Sequence, residues 1–135
     1  MNDGADSTRT FRVEGLRKSF HIGGTQIDVL KGIDIEFKPG EMLSIVGSSG
    51  AGKSTFLHVL GTLDAPSAGR IVYGGTDVTA LDPKALARFR NRTIGFVFQS
   101  HHLLPDFTAL ENCAMPLRIA GMSEAECAAR AAEIL

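Results

Sequence analysis

The chain has 135 residues, of which 44% are hydrophobic and 21% are charged, a balance typical of one globular domain with a real core. Its 14 lysines and arginines against 15 acidic residues give a net charge of −1, so no strong overall electrostatic field attracts nucleic acid. The 15 glycines exceed the usual share of about 7%. Part of the backbone therefore needs conformational freedom or close approach to a ligand.

The sequence shows no targeting segment and no membrane span. No apolar run approaches the roughly 18 residues of a spanning helix, and residues 1–7 are polar and acidic, unlike a secretory signal peptide. We therefore expect a cytosolic chain that docks onto a membrane only through a partner. Cys113 and Cys127 lie in segments with helical patterns and lack C-x-x-C spacing, which favours buried free thiols over a disulfide or a metal site.

Strand patterns and turn residues dominate the first part of the chain. Period-two alternation is typical of half-solvated strands, and a short continuous apolar run is typical of a strand covered on both faces. The predicted strands are Phe11–Phe20, Ile33–Phe37, the buried Met42–Val46 and Ile71–Tyr73, with turns at 22–25, 39–40 and 74–75. Residues 1–10 are predicted to form a flexible polar tail.

The helices are predicted from apolar spacing and from capping residues. After a glycine-rich segment, Phe56, Val59, Leu60 and Leu63 follow the i, i+3, i+4, i+7 spacing of a helix buried on one face. Three further helices are predicted to start at Asp82–Pro83, at the capping box Thr108–Glu111 and at the capping box Ser123–Glu126, the first ending near Arg90 and the second kinked by Pro116 and ending near Gly121. Ile94–Phe98 is predicted as a second buried strand, which ends at Gln99.

Residues 47–54, GSSGAGKS, match the pattern G-x-x-x-x-G-K-[ST] at every fixed position. Glycines let backbone N–H groups converge on a triphosphate without Cβ clashes, and the helix that begins near Lys53 adds the positive end of its dipole. Lys53 supplies a compact charge for the β- and γ-phosphates, and the Ser54 hydroxyl is a hard oxygen ligand for Mg²⁺. The alternative is a glycine-rich turn with an incidental surface lysine, which the strand–loop–helix context disfavours. The predicted nucleotide-binding residues are Gly47, Ser48, Ser49, Gly50, Ala51, Gly52, Lys53, Ser54 and Thr55.

The surroundings of this loop resemble a known family. The motifs LKGI at 30–33, PGE at 39–41 and GSSGAGKST at 47–55 are similar to those of ABC-transporter ATPases, and Gln99, directly after GFVF, matches the Q-loop of that family. The stretch FQSHHLLPDFTALEN at 98–112 closely resembles the ATPase subunits of lipoprotein-releasing (Lol) systems, and GTLD at 61–64 agrees. The resemblance covers residues 11–135.

The resemblance implies roles for matching positions. Phe20 stands where the family has an aromatic residue that stacks on adenine, with a core phenylalanine at a strand end as the alternative. Gln99, the one implied catalytic residue, would join Ser54 as a ligand of Mg²⁺ or position the attacking water, with a merely structural role as the alternative. Thr55 would bind a phosphate oxygen or cap the turn. The implied ligands are ATP and Mg²⁺.

Two clusters of basic residues admit other interpretations. His101 and His102 would suit a metal only with further ligands, and adjacent histidines on a loop point apart, so contact with a partner is favoured, with loop packing next. Arg88, Arg90 and Arg92 are better explained as the solvated face of a short helix than as a nucleic-acid surface.

Three family motifs do not occur in the sequence: the LSGGQ signature, the apolar strand that ends in Asp-Glu, and the switch histidine. All three lie downstream in the family, so we expect an N-terminal half, truncated before the signature motif and the Walker B strand. The parallel sheet that holds residues 42–46 and 94–98 would then lack neighbours and expose apolar faces. Hydrolysis by the chain alone is not expected, because a carboxylate that activates water is missing.

The sequence therefore predicts an α/β P-loop fold of the ABC ATPase type with an N-terminal antiparallel β portion, in which residues 11–135 form the N-terminal part of the nucleotide-binding domain. The implied function is ATP hydrolysis that drives lipoprotein release. The implied setting is a peripheral homodimer at the cytoplasmic face of the bacterial inner membrane, bound to integral membrane subunits of the Lol type and not to nucleic acid. The alternatives are a macrolide-export or cell-division type of ABC ATPase, a noncatalytic nucleotide-binding fragment, and a P-loop kinase.

Overall fold

The computed structural model describes residues 10–135, so the predicted N-terminal tail, residues 1–10, lies outside the described residues except for Thr10. The chain divides after Leu86 into two units. The first contains β1 (Phe11–Ile22), β2 (Thr25–Phe37), α1 (Lys53–Leu60), β3 (Ala68–Tyr73), β4 (Thr76–Asp77) and a 3₁₀ turn (Val78–Ala80). Helix α2 (Pro83–Thr93) begins in the first unit and continues into the second, which also holds α3 (Ala109–Ile119) and α4 (Glu124–Ala132).

An antiparallel sheet with the strand order β2-β1-β3-β4 forms the frame of the first unit. The Phe11 ring lies 4.1 Å from the ring of Phe37 on β2 and 4.4 Å from the ring of Tyr73 on β3. Val13 and Leu16 of β1 are both fully buried although they lie three residues apart. A register shift between them moves the period-two burial pattern of β1 by one residue, so that the same face of the strand stays covered. The predicted strands Phe11–Phe20, Ile33–Phe37 and Ile71–Tyr73 are confirmed, as is the antiparallel β portion.

Two predicted strands are wrong. Neither Met42–Val46 nor Ile94–Phe98 forms a strand with any other part of residues 10–135, and both Met42 and Val97 are fully exposed. A buried parallel strand exists only when neighbours on both sides bond its backbone and other layers cover its faces. The described sheet offers neither, so these apolar runs remain unpaired. The expected exposure of their apolar side chains is confirmed.

Helix α1 is shorter than the apolar spacing predicts. Phe56, Val59 and Leu60 are buried, as expected, but the helix ends at Leu60 and Leu63 lies outside it with its side chain exposed. Thr62 has a φ of 57°, a left-handed conformation that cannot continue a right-handed helix. The apolar spacing therefore predicts a helix about one turn longer than α1 is.

The capping signals of the other helices are confirmed. The Asp82 side chain accepts hydrogen bonds from the N–H groups of Lys84 and Ala85, at 2.9 and 3.0 Å, and both α3 and α4 begin with complete capping boxes, at Thr108 and Ser123. Helix α2 continues to Thr93, past the predicted end near Arg90, and has no buried residue. Of its three arginines, Arg88 and Arg92 are exposed, as expected of a solvated face, whereas Arg90 is partly buried.

Helices α3 and α4 pack through small residues. Ala114 of α3 meets Cys127 and Ala131 of α4 in a buried cluster. Cys127 is a buried free thiol, as predicted, whereas Cys113 is free and only partly buried. Within the described part of the chain, no helix is long and apolar enough to span a bilayer.

Candidate nucleotide-binding site

The phosphate loop joins residue 46 to α1 through glycines with left-handed backbone. Gly50 and Gly52 have φ of 79° and 89°, conformations that L side chains rarely adopt. Gly52 is the N-cap of α1, and a Cβ built there would lie 2.9 Å from Cγ1 of Val29 on β2. Backbone conformation and close packing on the sheet both require glycine at this position.

The Lys53 side chain folds back over the loop. Its Nζ donates hydrogen bonds to the carbonyl oxygens of Gly47 at 2.9 Å and Ser48 at 2.7 Å. An ammonium has three donors, so these two bonds fix the charge above the loop and leave one donor for an anion. The loop is further tightened by a hydrogen bond from the Ala51 N–H to the Ser48 carbonyl, at 3.3 Å.

The N-terminus of α1 is the positive end of its helix dipole, and no acidic or capping side chain of the first turn neutralises it. The first helical hydrogen bond runs from the Phe56 N–H to the Gly52 carbonyl at 2.8 Å, so the preceding N–H groups have no helical acceptor. No side chain caps this end, and its first turn holds no acidic residue. By contrast, Glu111 and Glu126 close the starts of α3 and α4, where hydrogen bonds from Thr108 and Ser123 lower the pKa of each carboxyl.

These features fit a nucleotide phosphate and its metal. Backbone donors, an ammonium and the helix dipole suit a concentrated negative charge. The exposed Ser54 and the partly buried Thr55 place hydroxyl groups in the first turn of α1, and a hydroxyl oxygen suits Mg²⁺.

Phe20 lies in the same unit as the phosphate loop, on β1 opposite Ile27 of β2. Its side chain is 36% exposed, and the Nζ of Lys18 lies 4.9 Å from its ring centroid. Phe20 is therefore not a fully buried core residue. Its contact with adenine stays a prediction.

Gln99 belongs to the second unit, where it is exposed and lies in a bend rather than at the end of a strand. Its role toward Mg²⁺ or water therefore stays a prediction as well. Nearby, the His102 ring meets the Phe98 ring edge to face at 4.8 Å, which is loop packing, one of the alternatives for the histidine pair. Among residues 10–135, no three His, Cys, Asp or Glu side chains gather in a group that could hold a metal ion.

The comparison with known proteins decides the family. Residues 30–135 match the sequence profile of the ABC transporter family. This chain belongs to the ABC transporter family.

Relatives within the family are similar to the chain over most of its length. The lipoprotein-releasing system ATP-binding protein LolD of Geobacter metallireducens is 55% identical over 123 residues, which are 91% of this chain and 55% of that protein. LolD of Myxococcus xanthus is 51% identical over the same shares. The chain thus spans about half the length of the curated relatives it matches.

A solved ABC cassette has the same fold. The dimeric post-hydrolysis structure of the ATP-binding cassette MJ0796, bound to ADP and Pi, is similar with a TM-score of 0.82 at 38% identity, over 91% of this chain and 54% of that one. The predicted P-loop fold of the ABC ATPase type is therefore confirmed. Within this fold, Met42–Val46 and Ile94–Phe98 have no strand partner among the described residues.

The family stretch at 98–112 contains a residue whose role sequence reasoning missed. The Asn112 side chain accepts from the Leu104 N–H at 2.8 Å and donates to the carbonyls of Leu104, Phe107 and Thr108 at 3.2, 3.0 and 3.0 Å. It thereby holds residues 104–107 against the start of α3. An asparagine inside a predicted helix competes with the helical backbone, and that anomaly is the signal by which it could have been found.

Proposed function

We propose that this chain is the phosphate-binding portion of an ATP-hydrolysing subunit that drives lipoprotein release by an ABC transporter. The observation that carries the proposal is the phosphate loop, in which Lys53 closes over the Gly47 and Ser48 carbonyls beside the uncapped start of α1. The names of the similar LolD proteins support the transport role. The same names favour it over macrolide export or cell division.

Each residue of the loop has a chemical task in this proposal. Backbone N–H groups of the loop and the remaining donor of Lys53 hold the β- and γ-phosphates. The Ser54 hydroxyl would hold Mg²⁺, which would supply positive charge to the phosphates when bound. The Thr55 hydroxyl would add a donor for a phosphate oxygen, and Phe20 would pack on the adenine. The resemblance implies that Gln99 would be a ligand of Mg²⁺ or would orient the attacking water.

The proposal also includes a membrane partner. Leu103, Leu104 and Phe107 are exposed apolar residues, and a cavity of about 410 Å³ beside the first two is lined mainly by apolar side chains of the same unit. Such a patch is typical of a protein contact. We assign it to an integral subunit of the transporter, which would place the chain at the cytoplasmic face of a bacterial inner membrane. Two copies of the subunit would form the working dimer, as the dimeric neighbour suggests.

Titration calorimetry with Mg-ATP tests the phosphate site. Lys53→Ala removes a charge-assisted phosphate contact of about 1.5–3 kcal/mol, so we expect the dissociation constant to rise by about tenfold or more. Lys84→Ala is the matched control, because Lys84 is an exposed lysine in the first turn of α2. Equal affinities of the wild type and Lys53→Ala contradict the proposal.

A further inference from the structure

A buried lysine on β1 connects Phe20 to the segment that follows the phosphate-loop helix. Lys18 is only 9% exposed. Its Nζ donates to Oδ1 of Asp64 at 2.7 Å and to the Ala65 carbonyl at 2.8 Å. The same Nζ lies over the Phe20 ring, 4.9 Å from its centroid. One ammonium thus contacts both the segment after α1 and the aromatic ring.

Backbone hydrogen bonds reinforce this connection. The Ser67 N–H donates to the Arg17 carbonyl at 2.8 Å, and the Ser19 N–H donates to the Ser67 hydroxyl at 2.9 Å. Residues 17–19 of β1 are therefore fixed to residues 64–67, which follow the end of α1. The strand that carries Phe20 cannot shift relative to this segment without breaking several hydrogen bonds.

The desolvation of Lys18 explains why the ring is held. Burying an ammonium is costly unless its donors are satisfied, and Asp64, the Ala65 carbonyl and the π face of Phe20 supply three partners. A cation over an aromatic face is attracted by the ring quadrupole. A phenyl ring has two faces, and the cation occupies one of them. The ring remains 36% exposed, which leaves surface for a flat base.

We propose that Lys18 is a positioning residue for base recognition, which holds the Phe20 ring in the orientation that packs on the nucleotide base. The inference rests on the proposed function, in which Phe20 contacts adenine. A ring already held in place loses less side-chain freedom when the base binds. Lys18 therefore raises affinity for the base part of ATP and not for its phosphates.

A double-mutant cycle on the 135-residue chain tests this role, with Mg-ATP and Mg-tripolyphosphate as the two ligands. Lys18→Met keeps the apolar stem and removes the ammonium. We expect it to weaken ATP binding by about threefold to tenfold and to leave tripolyphosphate binding unchanged. In the Phe20→Ala background, Lys18→Met should have no further effect on ATP, because the two residues act as one unit.

The control is Arg12→Met, which removes another cation of β1, bonded to Glu36 of β2 at 3.0 Å, and should change neither ligand. Equal weakening of both ligands by Lys18→Met, or a further loss in the Phe20→Ala background, overturns the inference. If Lys18→Met does not fold, Asp64→Ala frees the ammonium instead, and the same selective loss is expected; an unchanged ATP affinity overturns the inference.

The same titrations separate this inference from the proposal on which it rests. If Phe20→Ala binds ATP as tightly as the wild type, the adenine contact is wrong and the inference is wrong with it. If Phe20→Ala weakens ATP but neither Lys18→Met nor Asp64→Ala does, only the positioning role is wrong. Loss of both ligands in Lys53→Ala tests the phosphate loop independently of either.

Discussion

Tyr73 shows how one residue ties the sheet to the phosphate-loop helix. Its hydroxyl donates to the carbonyl of Leu60 at 2.7 Å, an oxygen at the C-terminal end of α1 that needs a partner from outside the helix. Burial raises the pKa of Tyr73 to about 12 from its ordinary value of 10.0, because the phenolate would form away from water. The hydroxyl of this residue therefore favours the folded state only while it is protonated.

We predict an alkaline loss of stability that depends on Tyr73. The folded-state pKa lies above the unfolded value, so the contribution is complete below pH 10 and falls as the pH rises from 10.0 toward about 12. Tyr73→Phe should cost about 1 kcal/mol at neutral pH and should remove this part of the alkaline decline. Urea unfolding of both variants across this pH range measures it. Because Tyr73 is the single tyrosine of the sequence, its phenolate absorbance reports its pKa directly, and an ordinary value contradicts the prediction.

Among single residues, those with local signals were predictable. The glycines of the phosphate loop and Lys53 follow from the motif, because each is required by its own backbone or by its charge. Lys18 and Asn112 were not predicted to matter, because their roles depend on Asp64 and on residues 104–107, which no short-range pattern connects to them. Sequence spacing reports local chemistry well and tertiary partners poorly.

The segment Leu103–Phe107, just before α3, exposes three apolar side chains, those of Leu103, Leu104 and Phe107. Asn112 holds it through three hydrogen bonds and donates a fourth to the Thr108 carbonyl. Asn112 itself lies in the first turn of α3, which the capping box at Thr108 starts. The segment is therefore exposed to solvent and also held in one conformation. A fixed apolar surface loses little entropy when a partner covers it.

We predict that this surface carries the contact with the membrane subunits. Replacing Leu103, Leu104 and Phe107 with serine in a full-length subunit should abolish co-purification with the membrane subunits while Mg-ATP affinity stays unchanged. The control replaces Ile22 and Ile27, which are exposed near the tip of the β1–β2 hairpin, and should leave co-purification intact. Unchanged co-purification of the triple variant contradicts the assignment.

The elements also differ in how well sequence could predict them. Helices α3 and α4 begin where their capping boxes indicate, because both partners of a capping box lie within four residues. The runs Met42–Val46 and Ile94–Phe98 have the composition of buried strands but no pairing within the described residues. A strand needs a neighbour, and composition alone does not provide one.

ATP hydrolysis sets four requirements that the chain as a whole has to meet. Phosphoryl transfer to water needs a phosphate cradle, Mg²⁺, an oriented water and a group that accepts its proton. Residues 47–55 fit the phosphate cradle. Ser54 and Gln99 are proposed for Mg²⁺ and for the orientation of the water. The group that accepts the proton has to be a carboxylate with an unpaired oxygen beside the attacking water.

The carboxylates considered for that task are poor candidates. Asp64 is paired with the buried Lys18 at 2.7 Å. Glu41 accepts a hydrogen bond from the Lys38 N–H at 2.9 Å and thereby closes a turn. Asp106 lies in the exposed segment after Leu104 and not at the end of a strand. None has the strand-end setting that the resemblance implies for the family's base.

We therefore predict that the 135-residue chain binds Mg-ATP without hydrolysing it. A second copy would not rescue the reaction, because the sequence contains no LSGGQ motif for either copy to offer. Phosphate release by the purified chain should equal that of Lys53→Ala, while calorimetry shows tighter nucleotide binding for the wild type. A contaminating ATPase would release phosphate equally in both preparations, so the comparison cancels it. Steady phosphate release that survives purification and disappears only in Lys53→Ala would show that one of the carboxylates present does serve as the base.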